Sequence, residues 1–168
     1  MEAKASKGER DPPLFIKQTI GNACGTIALL HALCNTLDHC GGVGQDSFLE
    51  KFLMEASTPE ERAKFIEADS RLEVTHETMA QEGATDPKES MDTKCHFVTY
   101  VAKDGAIWEL DGRLSGPVCK APIEPGQHLG VEVSKIIKGY IAMNNSSEGS
   151  DLKFSVMALA PAGDDLLY

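Results

Sequence analysis

Gln18-Thr-Ile-Gly-Asn-Ala-Cys24-Gly-Thr-Ile-Ala-Leu-Leu-His-Ala-Leu-Cys-Asn-Thr-Leu37 is the stretch from which the rest of the chain can be read. From Cys24 onward apolar residues fall on nearly every side of a helical wheel: Ile27, Ala28, Leu29, Leu30, Ala32, Leu33 and Leu37. A helix that is apolar all round belongs at the centre of a core. Gly21-Asn22 favours a turn at its start, and Gly41-Gly42 marks its end. Phe15 to Gly21 reads as a short extended segment leading into it. The sulfur of Cys24 then sits in the first helical turn, where the positive end of the helix dipole favours the anionic form of a thiol. Gly25 has no side chain to crowd an acyl group on that sulfur. The Cys24 N–H is one of the helix's unpaired donors and can point at an oxyanion. Gln18, six residues upstream, can supply a second donor from its amide. The bland alternative is a small buried core residue, a common fate of a free cysteine.

A second group of residues can be placed by strand geometry. His96 to Lys103 and Ala106 to Asp111 flank Asp104-Gly105, the dipeptide of a two-residue hairpin turn. With Lys103 facing Ala106, Asp111 faces Val98, and His96, two residues along, shares their face. Diagonal neighbours lie roughly 7–8 Å apart, within reach of a His–Asp hydrogen bond. Such a bond fixes the imidazole tautomer and stabilises its charged form. A structural histidine beside a turn aspartate is the competing account. By alternation Cys95 points to the opposite face, as do Phe97, Trp108 and Leu110, for which core packing is expected.

Two short helices precede the hairpin, each opening on a capping box: Ser47 with Glu50, and Thr58 with Glu61, the latter with Pro59 at the first helical position. Thr75 to Thr93 is polar and lacks periodicity, a length usually reserved for functional or disordered segments. Leu129, Val133, Ile136, Ile137 and Tyr140 form a helical stripe within residues 128–144, and Phe154 to Leu159 reads as a final buried strand. Helices with a hairpin and a late strand give an α+β domain. Residues 1–14 read as a polar tail, 15–160 as the domain and 161–168 as a second tail.

The 168 residues carry 16 basic against 26 acidic side chains, a formal net charge of -10. That balance disfavours nucleic acid and anionic membranes, whose phosphates need Lys and Arg. The polar start has no apolar stretch to serve as a signal peptide, and no run approaches a membrane span, so a cytosolic or nuclear location is expected. Five cysteines (Cys24, Cys34, Cys40, Cys95, Cys119), odd in number and without a CxxC pair, fit free thiols. His31, Cys34, His39 and Cys40 cluster in sequence, but no second spaced pair completes a zinc site, so no metal is expected.

Together these segments resemble the ubiquitin C-terminal hydrolase family. The resemblance is carried by Gln18, Asn22-Ala23-Cys24-Gly25, His96-Phe97 and Glu109-Leu110-Asp111-Gly112-Arg113, with Val74-Thr75-His76-Glu77-Thr78 leading into the polar stretch. It implies a papain-like cysteine peptidase fold, an antiparallel sheet packed on a buried central helix and flanking helices. It implies thiol-dependent hydrolysis of ester, thioester, amide and peptide bonds at the C-terminal glycine of ubiquitin or a ubiquitin-like protein. Cys24 becomes the nucleophile, His96 the general base and acid, Asp111 its orienter and Gln18 the oxyanion donor. Thr75, His76 and Glu77 border a substrate-gating loop over the site. No cofactor is implied, and a monomer is expected. The family's domain carries several dozen more residues ahead of the glutamine, so this chain is expected to be truncated at its N-terminal side. Two other functions stay open: a ubiquitin-binding module without turnover, and a redox-sensing thiol protein.

Overall fold

The computed structural model describes residues 10–21, 23–39, 41–70, 96–144 and 155–160. Helix α1 spans Cys24–Cys34. It stops short of the expected Leu37 because side chains satisfy its end. Asn35 Nδ2 donates to the carbonyls of His31 (2.8 Å) and Leu14 (3.0 Å), and Thr36 Oγ1 donates to that of Ala32 (2.8 Å). Helix carbonyls met in this way need no further turn. A 3₁₀ turn at Leu37–His39 follows, and Gly41 and Gly42, at φ of 77° and 91°, carry the chain away.

Helices α2 (Phe48–Glu55) and α3 (Pro59–Ala68) begin where the capping pattern placed them. In α3 the box is complete: Thr58 Oγ1 accepts the Glu61 N–H at 3.2 Å, and Glu61 accepts the Thr58 and Ser57 N–H groups at 2.9 Å each. In α2 Ser47 accepts the Glu50 N–H at 3.1 Å, but the Glu50 carboxylate reaches Asp46 rather than Ser47. Phe48, Phe52 and Phe65 stack and cross between the two helices with ring centroids 5.6–5.9 Å apart. They join Ile16, Ile27, Leu30 and Ile66 in one core.

Strands β1 (Thr99–Lys103), β2 (Ala106–Leu110) and β3 (Val118–Pro122) form an antiparallel sheet in that order. The β1–β2 register pairs Lys103 with Ala106 and Thr99 with Leu110, as the turn dipeptide dictated. Asp104 and Gly105 both have positive φ, the requirement of the primed turn. Strand β3 has no sequence signal of its own: it mixes polarity, ends in proline and is half exposed, as an edge strand tolerates. It pairs with β2 across a bulge at Ile107/Trp108. Phe15, Val101, Ala106, Trp108 and Leu110 form a second core on one sheet face. Phe97, expected there too, is instead 47% exposed, because β1 begins only at Thr99.

Helix α4 (Leu129–Asn144) packs on β1, burying Val133. Beneath it Glu109 accepts hydrogen bonds from the hydroxyls of Tyr100 (2.5 Å) and Tyr140 (3.0 Å), and Lys120 Nζ contacts Tyr140. Burial, then the Glu109 carboxylate, pushes the Tyr100 hydroxyl well above its ordinary pKa. The late strand is a correction. Residues 155–160 form no strand and are exposed, with Val156 at 70% and Met157 at 79%. An apolar run becomes a buried strand only where a ladder and a face await it, and no described strand pairs with these residues. Phe154 itself lies outside the described residues.

Candidate active site

The segment 13–18 is the strap on which the site is assembled. Pro13, Phe15 and Ile16 are buried, while residues 10–12 are exposed. Asn35 holds both the N–H (2.8 Å) and the carbonyl (3.0 Å) of Leu14. His31 Nε2 accepts the N–H of Ile16 at 2.9 Å. Arg62 grips the Phe15 carbonyl from α3 at 3.1 Å. At the far end the strap meets the loop after β2. Gln18 N–H donates to the Gly112 carbonyl at 2.8 Å, and Lys17 Nζ bonds the carbonyls of Arg113 (3.3 Å) and Leu114 (2.8 Å). One segment therefore ties the central helix to the hairpin.

Of the four sequence-predicted residues, His96 and Asp111 touch directly, while Cys24 and Gln18 are linked to them through the neighbours Gly25, Phe97 and Gly112. Cys24 opens α1, half-buried, after the N-cap Ala23, and no side chain among the described residues caps the helix. Its first-turn N–H groups are thus left for other acceptors. Gly25, its neighbour, lies against the ring of Phe97, which a Cβ on Gly25 would meet at 3.7 Å. Phe97 follows His96, whose Nε2 is 2.6 Å from Asp111 Oδ1 with both side chains mostly covered (16% and 17% exposed). Gly112 follows Asp111 and touches Gln18 so closely that a Cβ there would stand 2.9 Å from Gln18 Cβ. Contacts thus run from Cys24 through Gly25, Phe97, His96, Asp111 and Gly112 to Gln18.

The electrostatics follow from these contacts. Burial alone raises the Asp111 carboxyl, but hydrogen bonds from His96 and from the Arg113 N–H (2.9 Å) outweigh it and hold Asp111 below the usual carboxylate range. With Nε2 occupied by Asp111, the buried Nδ1 of His96 has no partner among the described residues. One amide hydrogen of Gln18 goes to the Ile20 carbonyl at 3.1 Å, which leaves the other available and orients the group.

His31, Asn35, Lys17 and Gly112 were not singled out by sequence as parts of this site. His31 and Asn35 carried a signal, two polar residues four apart on an otherwise apolar helix. The residues that cluster in sequence around His31 sit in different surroundings. His31 is fully buried and engaged with Ile16, burial pushes the half-buried Cys34 thiol up to about 11, and His39 is exposed. Cys40, Cys95 and the gating residues Thr75, His76 and Glu77 lie outside the described residues.

A family model described as ubiquitin carboxyl-terminal hydrolase, family 1, matches residues 1–142. The chain belongs to that family. As a ubiquitin carboxyl-terminal hydrolase family member, it is 38% identical over 156 residues to ubiquitin carboxyl-terminal hydrolase 3 of Arabidopsis thaliana, covering 92% of this chain and 63% of that relative. It is 35% identical over 160 residues to isozyme L1 of Macaca fascicularis, covering 93% and 68%. The catalytic domain of Trichinella spiralis UCH37, solved bound to ubiquitin vinyl methyl ester, matches with a TM-score of 0.59 at 22% identity, over 84% of this chain and 64% of that one. That likeness, with helices around an antiparallel sheet, gives this family member the expected α+β papain-like fold. The chain spans a little under two thirds of the Arabidopsis relative's length.

Proposed function

We propose that this chain is a cysteine-type deubiquitinase, hydrolysing bonds at the C-terminal glycine of ubiquitin through Cys24, His96, Asp111 and Gln18. The observation that carries the proposal is the 2.6 Å contact between His96 Nε2 and Asp111 Oδ1, just ahead of β1, where the next residue, Phe97, packs on the first turn of the Cys24 helix. Family membership, and the Trichinella structure bound to ubiquitin vinyl methyl ester, support ubiquitin as the partner.

Asp111 accepts the Nε2 proton, so Nδ1 carries the lone pair that takes the proton of the Cys24 thiol. The sulfur adds to the glycine carbonyl, whose oxygen becomes an anion held by the Cys24 N–H and the free Gln18 amide hydrogen. Each such donor contributes roughly 3 kcal/mol. Collapse of the adduct breaks the bond to the leaving group, which receives its proton from His96 Nδ1. His96 then takes a proton from water, the hydroxide splits the thioester, and the proton returns to sulfur as the carboxylate leaves. Asp111 stabilises the imidazolium at both stages. No step needs a cofactor.

The test is incubation with ubiquitin bearing a C-terminal electrophile, followed by intact-mass and peptide analysis. A single adduct on Cys24, absent in Cys24→Ala, is the expected result. Saturable binding without an adduct would replace hydrolysis by the ubiquitin-binding module, and peroxide sensitivity without ubiquitin affinity would favour the redox thiol.

A further inference from the structure

We propose that His31 is a positioning residue for the oxyanion-holding amide: its buried imidazole fixes the register of the 13–18 strap against α1 and so sets where the Gln18 side chain stands relative to the Cys24 sulfur. The role rests on the hydrolase function proposed above.

His31 is the one polar side chain that is fully buried among the described residues. It lies seven residues, two helical turns, beyond Cys24 and therefore on the same face of α1. Its Nε2 accepts the Ile16 N–H, which places its proton on Nδ1. Nδ1 is itself buried without a hydrogen-bond partner among the described residues, while the Ile16 backbone, the Asp111 carboxylate and the Leu110 backbone are the neighbouring groups that favour protonation of the ring. Burial outweighs them and lowers the imidazole to about 4, so the ring is neutral near pH 7. Phe15 stacks on it with ring centroids 5.2 Å apart, which fixes the ring plane.

The strap belongs to no strand, so its buried N–H groups have no ladder to satisfy them. They are met at alternate residues: Leu14 by Asn35, Ile16 by His31, Gln18 by Gly112. Asn35 and His31 speak for the helix and Gly112 for the hairpin. The tie at Ile16 is the last helix-side backbone tie before Gln18, no more than about 7 Å along the chain. Gly112 therefore sets the amide against Asp111, and His31 sets it against Cys24. An apolar side chain at position 31 can fill the same space but offers no lone pair to Ile16. The segment then relieves its stranded N–H by shifting, and Gln18 shifts with it.

The experiment uses the full chain with three substitutions, His31→Leu, His31→Gln and His31→Asn, each in wild-type and Gln18→Ala backgrounds. Leucine removes the acceptor. Glutamine puts an oxygen near the place of Nε2, and asparagine puts one near Nδ1, out of reach of Ile16. Turnover of a fluorogenic amide of ubiquitin, alkylation of Cys24 by iodoacetamide and urea midpoints are measured together. His31→Leu and His31→Asn should lower kcat by about 10- to 100-fold, the scale of a small misplacement of a catalytic donor. KM should change by less than about twofold, because the perturbed contact acts on the developing oxyanion rather than on bound substrate. Alkylation, which forms no oxyanion, should keep its rate. His31→Gln should regain most of the activity, and in the Gln18→Ala background His31→Leu should add no further loss. A folded His31→Leu or His31→Asn chain with wild-type kcat overturns the proposal, as does an equal loss with and without Gln18. If leucine prevents folding, the glutamine and asparagine pair decides, since both keep a polar amide and only one reaches Ile16. A folded wild type without turnover removes the hydrolase function and this role together, whereas turnover indifferent to position 31 removes the role alone.

Discussion

Replacing Gly112 with alanine adds one methyl group at the point where strap, helix and hairpin meet. The added Cβ would stand 2.9 Å from Gln18 Cβ, 2.9 Å from Ile27 Cγ2 and 3.3 Å from the Gln18 nitrogen. Carbon pairs rest at roughly 3.5–4.0 Å, so two contacts are short by more than half an ångström. Neither neighbour is a flexible chain end. Ile27 is 4% exposed in the main core, and Gln18 is bonded through its own N–H to the Gly112 carbonyl. Overpacking of this kind costs about 1–3 kcal/mol. Alanine returns up to about 1 kcal/mol by narrowing the unfolded ensemble. The net loss is then up to about 3 kcal/mol and centred near 1–2 kcal/mol, the centre corresponding to a Tm lower by about 2–8 °C for a chain of this size. Urea unfolding followed by circular dichroism measures it, with Gly139→Ala as the control. At Gly139 in α4 nothing lies within 4 Å of the new Cβ, so that change should stabilise by about 0.5–1 kcal/mol. Gly112→Ala should also slow ubiquitin turnover, because relief of the clash moves Gln18. If both alanines shift the midpoint alike, the tight junction at Gly112 does not exist.

Stability should fall as pH drops from about 6.5 toward 4. The unfolded chain gains a proton on His31 near its ordinary 6.5, while the folded chain resists until about 4, a difference of about 3 kcal/mol. His31→Gln should flatten that part of the stability curve, which urea midpoints at several pH values will show. Asp111→Asn should keep the fold and lower kcat by about 10- to 100-fold, since the amide oxygen can still accept the Nε2–H but no longer carries the charge that stabilises the imidazolium. Tyr100→Phe removes a 2.5 Å hydrogen bond to Glu109 under α4 and should cost about 2 kcal/mol in urea unfolding. Capture by a ubiquitin electrophile should be unchanged in that variant, because the Tyr100 hydroxyl bonds Glu109 and none of Cys24, His96, Asp111 or Gln18.

Local rules were enough wherever one residue's chemistry had no competitor. Thr58, Pro59 and Glu61 specify the start of α3, and Asp104-Gly105 specifies the hairpin and its register, because few other residues tolerate those backbone angles or satisfy those donors. The register in turn placed His96 and Asp111 together before any tertiary contact was known. The apolar stretch from Ile27 announced a helix, but not one buried on every side, since Leu29 is 56% exposed; the proposed set of Gln18, Cys24, His96 and Asp111 was drawn from residue types at particular spacings.

What the chain alone could not reveal were the properties that belong to pairs of distant segments. Strand β3 is a strand because β2 offers it a ladder, and residues 155–160 are not, despite a stronger apolar run. Phe97 alternates like a core residue yet stands exposed beside Gly25, since its surroundings are decided by where β1 begins. The closeness of Gly112 to Gln18, and the hydrogen bond from Ile16 to His31, each join residues far apart in sequence. Sequence patterns encode what each residue prefers locally. Which buried N–H finds which acceptor is settled only when the strap, the helix and the hairpin close on one another.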